Sequence, residues 1–432
     1  MRTDAQFIFQ SYESIKNGTI LTFHYVLTES GNTYHFKEII RLPRGTTIFS
    51  IPKPIQTKIL ENLLLVLGIS YWKTFCPRTM IIRPFSLTKK QSEFWNTVYK
   101  KGLGEFFYKN KIDFRNLIRF PYKKTAKNST VPRIKTMNES LLLWGGGKDS
   151  IVAGELLKSS RKRFLLFAIN PVSLQKTTAR LMEKPMVAIR RELDPQLFLL
   201  NQKGVYNGHI PASAVYAFLG ILAALLQKKR YIIAANEESA NYGNVKFLGK
   251  EINHQWSKSY EFEKIFREYI KANVSRDIEY FSLMRPLTEL EIAKIFSQMP
   301  KYFSSFSSCN RNFSITKPKK NKLWCGKCPK CAFVFALLAA YLPKKQLIAI
   351  FQKNLFADES LLPLYKELLG LTSVKPFECV GTPEETKAAF RETYARGKFQ
   401  ESPIMKFFVR SVLPTMKKDR MRRQKTAYYF PK

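Results

Sequence analysis

The feature that most restricts the fold of this chain is an alternation of short apolar strands with helices between Ser140 and Ser239. It predicts strands over SLLLW, RFLLFAIN, LFLLN and YIIAANEES, and helices over 149–158, 174–193 and PASAVYAFLGILAALLQ. Strands separated by helices form a parallel sheet with helices on both faces. Ligands bind at the carboxyl ends of such strands, so the residues after Trp144, Ile169 and Ala235 are expected to share one edge.

Two regions flank this pattern. Residues 1–135 are predicted to form an α+β N-terminal domain, with three strands and then helices from about Ile55 and from Thr88. Residues 344–432 are predicted to be a helical C-terminal region with a basic tail, in which Thr382 caps a helix that begins at Pro383. The predicted fold class is therefore α/β, with residues 136–343 as the parallel-sheet domain.

The net charge of the chain is high, because 72 Lys and Arg residues stand against 33 Asp and Glu residues and give +39. This charge fits a polyanionic partner, a small polyanionic substrate or a lysine-rich surface without a partner. The tail is either an arm for an anionic partner or a solvated terminus. Its basic residues include Lys417, Lys418, Arg420, Arg422, Arg423 and Lys425.

Composition excludes several classes of protein. An apolar content of 45% excludes a disordered chain, and six cysteines in 432 residues exclude a disulfide scaffold. The longest apolar run, 215–226, is shorter than the roughly 20 residues that cross a bilayer. The first residues do not resemble a signal peptide, so a cytoplasmic protein is expected.

Three glycines separate the first predicted strand from its helix in LLLWGGGKDSIVAGELL. Their backbone amides and the helix N-terminus make an anion site, to which Lys148 adds charge and Ser150 a hydroxyl donor. Asp149 would repel phosphate unless a magnesium ion bridges them, which makes it a candidate catalytic residue. The alternative is a tight turn whose glycines serve packing. The candidate nucleotide-binding residues are Gly145, Gly146, Gly147, Lys148, Asp149, Ser150 and, after the second strand, Asn170.

Four cysteines form a second motif. Cys325, Cys328 and Cys331 make two overlapping C-x-x-C steps, and Cys309 lies upstream of them. Four thiolates at this spacing suit a tetrahedral structural zinc site with no coordination position left for catalysis. The alternatives are an iron–sulfur cluster and free cysteines in a loop.

The GGGKDS loop resembles the SGGxDS loop of the PP-loop ATP pyrophosphatases, the adenine nucleotide α-hydrolase-like superfamily, with Gly145 at the usual serine position. SLMRPLTELEI, which begins at Ser282, resembles the Pro-Leu stretch of the same enzymes. The resemblance implies that ATP is split between its α and β phosphates while Gly145 to Ser150 hold pyrophosphate. The cysteine motif is similar to the zinc site of 7-cyano-7-deazaguanine synthase.

Further strings narrow the resemblance to one family. They are NGHIP from Asn207, NEESAN from Asn236, NHQWSKSYEFE from Asn253, the stretch 324–335 and KPFECVG from Lys375. Together with GGGKDS they resemble the UDP-N-acetyl-α-D-muramoyl-L-alanyl-L-glutamate epimerases. The resemblance implies ATP- and magnesium-dependent conversion of the terminal L-Glu of UDP-MurNAc-L-Ala-L-Glu to D-Glu. It also implies a glutamyl-adenylate, release of AMP and pyrophosphate, and a role in peptidoglycan precursor synthesis.

The acid and base for this reaction are open at this point. Glu237 and Glu238 leave the fourth predicted strand at the ligand edge, where they are either proton carriers or solvated loop acids. His209 and His254 are each either a base or phosphate contact, or a residue with a packing role. Cys379 is either an acid/base thiol or an inert buried cysteine.

Two rival functions remain from the sequence. The charge and the four cysteines also fit a PP-loop enzyme that modifies tRNA or a nucleobase. A non-catalytic zinc-containing nucleic-acid-binding protein is the second rival, although the intact GGGKDS loop argues against it. A small-molecule substrate is favoured over a nucleic-acid partner.

Overall fold

The computed structural model describes residues 5–126, 130–314, 322–416 and 431. The tail residues Lys417, Lys418, Arg420, Arg422, Arg423 and Lys425, which the sequence suggests as an arm, lie outside the described residues.

The N-terminal part begins with three antiparallel strands, as the sequence predicts. The hairpin between the second and third strands turns at Ser30 and Gly31, whose φ angles of 49° and 77° match the twist of the paired strands. The elements are β1 (Gln6–Ile15), β2 (Ile20–Glu29), β3 (Asn32–Arg41), α1 (Lys53–Trp72), β4 (Thr79–Ile82), α2 (Lys89–Gly102) and α3 (Gly104–Lys109).

The central part alternates strands and helices. Its first half contains β5 (Met137–Leu143), α4 (Lys148–Ser159), β6 (Phe164–Ile169), α5 (Ser173–Met182), β7 (Met186–Glu192), α6 (Pro195–Gln202) and α7 (Ala212–Leu226). Its second half contains β8 (Lys229–Ala234), β9 (Val245–Phe247), β10 (Lys250–Ile252), α8 (Tyr260–Asn273) and β11 (Glu279–Ser282).

The sequence prediction is wrong for one segment of this alternation. The helix expected over 174–193 ends at Met182, and the residues after it form β7. Pro185 explains the change, because a proline disfavours helix at the residue before it. The strand expected over LFLLN is instead α6, which Asp194 caps by accepting a hydrogen bond from the Gln196 amide at 2.8 Å, with Pro195 in the first turn.

In the part of the chain that the structure describes, nine strands form one sheet in the order β11-β8-β5-β6-β7-β3-β2-β1-β4. The strands from β11 to β7 are parallel, whereas β7, β3, β2 and β1 pair antiparallel and β4 is parallel to β1. The fold is therefore mixed α/β, and the N-terminal strands extend the central sheet through the pairing of Ile40 with Arg191.

The C-terminal part is helical, as the sequence predicts, and completes one of two apolar cores. Adjacent strand residues alternate between the cores: Leu141 packs with α1 and α7, while Leu142 packs on the opposite face with α4 and the C-terminal helices. Two of the packed helices, α9 (Glu289–Phe296) and α10 (Pro329–Ala339), precede residue 344. The predicted C-terminal region itself contains α11 (Lys344–Phe351), α12 (Leu362–Leu368), α13 (Pro383–Ala395) and α14 (Pro403–Ser411). Among the described residues, no helix combines the length and the apolar character that a membrane crossing needs.

Candidate active site

The glycine loop lies between β5 and α4, at the carboxyl end of the parallel strands. Gly146 has a φ of 73°, and a Cβ atom there would lie 3.0 Å from Thr178 Oγ1. A Cβ atom on Gly147 would lie 2.9 Å from Ser308 Oγ. The positive φ therefore favours glycine at position 146, whereas a side chain at position 147 would have to displace the Ser308 hydroxyl. The loop leads directly into the N-terminus of the 12-residue helix α4.

A cavity of about 260 Å³ opens beside this loop. Gly145, Gly147, Asp149 and Ser150 line it, so most of the predicted phosphate loop faces one space. Charged and ionisable side chains from distant parts of the chain line the same cavity: Lys258, Tyr280, Lys330 and Cys379. The arrangement joins the glycine loop at a helix N-terminus, two lysines and a thiol.

Behind the loop, Lys148 is the centre of a buried charge network. Its ammonium, with a side chain only 1% exposed, donates hydrogen bonds to the carboxylates of Asp149 and Glu289. Although burial opposes the charge, these two carboxylates raise the pKa of Lys148 above its ordinary value. Glu289 is fixed in turn, because its backbone N–H donates to Glu385 Oε1 at 2.7 Å. Lys148 therefore orients Asp149 at the cavity wall.

The thiol of Cys379 is surrounded by charged groups. Lys258 Nζ donates to Cys379 Sγ at 3.2 Å, and His254 Nε2 lies 3.7 Å from the same sulfur. The other ring nitrogen of His254, Nδ1, contacts the buried carboxylate of Glu105 on α3. His209 Nδ1 lies 3.4 Å from that carboxylate. The structure therefore brings both predicted histidines and the predicted cysteine together.

Glu237 and Glu238 follow β8 at the ligand edge, and they differ in their surroundings. The Glu237 side chain is buried near Lys258 and Lys375, whereas Glu238 is only half-buried. Neither lines the cavity by the loop. Lys375 Nζ is buried and has no hydrogen-bond partner among the residues that the structure describes.

Arg285, in the Pro-Leu stretch, fixes this edge of the site. Its guanidinium is fully buried and donates to the Glu237 carbonyl at 2.8 Å, the Lys258 carbonyl at 2.5 Å and Glu263 Oε2 at 3.0 Å. One side chain thereby ties the end of β8 to the segment that carries Lys258. Arg267 Nη1, 3.5 Å from Glu263 Oε1, completes the ion pair.

We expect Arg285→Met to lower the free energy of unfolding by about 3–5 kcal/mol, because it leaves the buried Glu263 carboxylate without its main partner. Urea denaturation measures this loss. Arg115→Met is the control, since Arg115 pairs with Asp113 on the surface and should change stability little. A loss no larger than that of the control would contradict the structural role of Arg285.

Asn170 and Asn244 make backbone contacts. Asn170 Nδ2 donates to the Arg191 carbonyl at 2.7 Å, and its Oδ1 accepts from the Arg191 amide at 2.9 Å, outside the cavity lining. Asn244 Oδ1 accepts from the His254 amide at 2.8 Å, and its Nδ2 donates to the Pro376 carbonyl at 2.7 Å. Asn244 therefore holds the His254 segment against the Cys379 segment.

Sequence reasoning did not single out Glu105, Lys258, Glu289 or Lys330. Glu105 lacked a local signal, because its neighbours Phe106 and Phe107 do not show that the carboxylate itself is buried. Lys258 and Lys330 had no recognisable sequence signal of a functional role, since lysines are abundant throughout the chain.

The four cysteines come together beside the cavity. Cys309 and Cys328 have sulfur atoms 3.9 Å apart, Cys325 and Cys331 3.7 Å, and Cys328 and Cys331 3.5 Å. All four are free thiols, and their sulfur atoms lie within 4.8 Å of one another. They can hold a metal ion.

The sheet, its glycine loop and the charged cavity define an α/β protein with an enzyme-type site at the carboxyl ends of its parallel strands. The chain belongs to the MurL family, which confirms the resemblance seen in the sequence. The MurL N-terminal domain model matches residues 1–283, and the MurL C-terminal domain model matches residues 305–423.

Curated relatives carry the name UDP-N-acetyl-alpha-D-muramoyl-L-alanyl-L-glutamate epimerase, and epimerases are isomerases. The Xanthomonas oryzae protein is 38% identical over 357 residues, which is 83% of this chain and 79% of the relative. The Micromonospora protein is 34% identical over 425 residues, covering 96% of this chain and 92% of the relative. The Salinispora tropica protein is 34% identical over 416 residues, covering 96% and 90%.

Proposed function

We propose that this chain converts the terminal L-Glu of UDP-MurNAc-L-Ala-L-Glu to D-Glu in peptidoglycan precursor synthesis, and that it uses ATP to activate the glutamate carboxylate. The observation that carries the proposal is the shared cavity, where the loop residues Gly145, Gly147, Asp149 and Ser150 face the same space as Lys258 and Cys379. The loop suits a leaving pyrophosphate, and the Cys379 thiol suits proton transfer. The names of the relatives supply the substrate.

Activation is needed because the α-proton of a free glutamate carboxylate is hard to remove. The carbanion would form beside a negative carboxylate. In the proposed reaction, the carboxylate oxygen attacks the α-phosphorus of ATP, the bond to the β-phosphate breaks, and pyrophosphate leaves. Negative charge that develops on removal of the α-proton then spreads onto the carbonyl oxygen of the acyl adenylate. Water finally cleaves the adenylate to give AMP and the D-glutamyl product.

The loop residues fit the PP-loop role that the sequence suggests. Gly146 and Gly147 let the backbone amides approach an anion, and the N-terminus of α4 adds its dipole. Lys330 and Lys258 place positive charge on the cavity wall. These residues would bind the pyrophosphate and orient the α-phosphate toward the substrate.

Asp149 fits a magnesium ion, because its carboxylate lies at the cavity wall and carboxylate oxygens are the ligands that magnesium prefers. When bound, the ion supplies charge neutralisation for the phosphates. Lys148 would keep the carboxylate in place.

The four cysteines fit a structural zinc ion. A Zn–S bond of about 2.3 Å gives a tetrahedral edge of about 3.8 Å. The sulfur separations of 3.5, 3.7 and 3.9 Å agree with that edge. Zinc there would fix the segment that carries Ser308, Asn310 and Lys330 to the cavity.

Three further parts of the proposal come from the sequence. The chain is divided into residues 1–135, 136–343 and 344–432, with catalysis assigned to the second part. Asn170, Glu237 and Glu238 remain candidate site residues. The location is cytoplasmic.

The test is incubation of the full chain with Mg-ATP and UDP-MurNAc-L-Ala-L-Glu in deuterated water. We expect deuterium at the glutamyl α-carbon, D-configured product, and release of AMP and pyrophosphate. AMP formation without α-deuterium would contradict epimerisation and indicate a ligase or hydrolase. Epimerisation without AMP would contradict the ATP-dependent step.

A further inference from the structure

Two contacts between three residues join α3 to the cavity, and we call this chain the relay. It begins at the carboxylate of Glu105, continues through both ring nitrogens of His254 and ends at the Cys379 sulfur, 3.7 Å from Nε2. The three residues lie far apart in the sequence, so only the folded chain brings them together. Because the imidazole contacts a carboxylate on one side and a thiol on the other, it can hold a proton between them.

The carboxylate end of this relay is buried and fixed. The Glu105 side chain is 5% exposed, and Lys109 forms an ion pair with it one turn further along the helix. Burial opposes ionisation, but the hydrogen bond and charge of His254 lower the pKa of Glu105 to about 2. For His209, burial and then the charge of His254 lower the pKa to about 3, so His209 is neutral at pH 7. Glu105 therefore stabilises a positive charge on His254.

The thiol end faces the cavity. Burial alone would raise the pKa of Cys379, but the Lys258 ammonium and then His254 lower it to about 5. Lys330 adds to this lowering, while Lys375 and Glu378 are the other charged groups that act on the thiol. Correspondingly, although burial opposes the charge, contacts with Cys379 and Glu105 raise the pKa of His254 to about 9. At neutral pH the pair is an imidazolium and a thiolate.

Cys76 shows what an ordinary buried cysteine looks like in the same chain. Its thiol donates to the Lys73 carbonyl at 3.4 Å, and burial raises its pKa. Cys76 does not line the cavity, whereas Cys379 does. The surroundings of Cys379 are therefore those of a reactive thiolate rather than of a packing residue.

We propose that Glu105 and His254 are positioning residues that keep Cys379 ionised at the cavity wall, where its thiolate takes the α-proton of the activated glutamyl residue. This inference rests on the proposed function. The C–H bond breaks, an S–H bond forms, and the electron pair moves onto the carbonyl oxygen of the acyl adenylate. A protonated group on the opposite side of the cavity returns a proton to the other face of the α-carbon and recovers one from solvent, and Cys379 loses its proton to solvent before the next turnover.

The first experiment measures the reactivity of the thiol without any substrate. The full protein is treated with iodoacetamide between pH 4 and pH 9, and mass spectrometry follows alkylation at Cys379 and Cys76. We expect alkylation at Cys379 to rise with a midpoint near pH 5, and Cys76 to stay unmodified. Glu105→Gln should move the Cys379 midpoint upward by roughly one pH unit, because the imidazolium loses its counter-charge. Glu105→Asp keeps a carboxylate, so the Cys379 midpoint in this variant should lie closer to that of the unmodified protein than in Glu105→Gln.

The second experiment separates proton transfer from activation. In Cys379→Ala, we expect α-deuterium incorporation to fall by about 100-fold or more while ATP–pyrophosphate exchange continues. Glu105→Gln should lower deuterium incorporation most at low pH. Cys76→Ala is the matched control and should keep both activities.

Several outcomes would overturn the relay. They are full deuterium incorporation in Cys379→Ala, equal alkylation of Cys379 and Cys76, and an unchanged alkylation midpoint in Glu105→Gln.

The Glu105, His209 and His254 ligand atoms also lie within 4.8 Å of one another, so metal analysis is included. A metal ion held by these side chains would overturn the relay, because Nδ1 of His254 would then be occupied. If the unmodified protein lacks ATP-dependent exchange, the proposed function fails, whereas Glu105-dependent thiol reactivity would still support the relay.

Discussion

Asp149→Asn is expected to lower the rate of pyrophosphate release by about 100-fold or more. Asp149 lies at the cavity wall, and its carboxylate is held by the buried ammonium of Lys148. Asparagine keeps the size of the side chain but removes the negative charge that suits a magnesium ion. The folded state should survive, because Lys148 keeps its buried partner Glu289. A coupled pyrophosphate assay measures the rate, and thermal unfolding measures stability.

Glu155→Gln provides the control on the same helix. Its carboxylate accepts from the Tyr302 hydroxyl at 2.5 Å and contacts Lys301 Nζ at 2.8 Å, and it does not line the cavity. The rate in this variant should match that of the unmodified protein. If Asp149→Asn releases pyrophosphate at the normal rate, Asp149 does not hold the metal ion and the assignment must be abandoned.

If the four cysteines hold the proposed zinc ion, Cys331→Ser is expected to remove it and to lower the free energy of unfolding by roughly 3 kcal/mol or more. Cys331 lies in the first turn of α10, and its sulfur is within 3.7 Å of two other cysteine sulfurs. Pyrophosphate release should also slow, because the preceding residue, Lys330, lines the cavity. Metal analysis, urea denaturation and the pyrophosphate assay measure the three consequences.

Cys76→Ala is the comparison for this variant, since Cys76 does not belong to the cluster of four cysteines. It should keep the full metal content. Retention of one zinc ion per chain in Cys331→Ser, with unchanged stability, would show that the four thiols do not form the proposed site.

The sequence predicted most of the fold where local signals were strong. The Thr382 cap and Pro383 marked the start of α13, and the glycine loop marked the junction of β5 and α4. The error at β7 and α6 came from giving apolar periodicity more weight than Pro185 and the Asp194-Pro195 start signal. The pairing of β3 with β7 joins residues about 150 positions apart and has no local signal.

The candidate site was predictable only where its residues form a local sequence motif. The loop and the cysteine motif are contiguous or regularly spaced, so their chemistry is visible in the sequence. The contact between Glu105 and His254 depends on how α3 packs against a distant loop, and the surroundings of Cys379 depend on Lys258 in the same way. A sequence can suggest such residues, but only the tertiary structure pairs them.

The order of the strands also bears on how a sheet of this size avoids aggregation. Its outermost strands among the described residues, β11 and β4, contain only four residues each, whereas β1, β2 and β3 contain ten each. Open strand edges recruit other chains by backbone pairing, and a short edge is a poor template for it. β4 pairs with Gln6–Phe9 of β1, and β7 pairs with Ile39–Arg41 of β3, so each of these two long strands has part of its outer backbone edge covered against unwanted self-association.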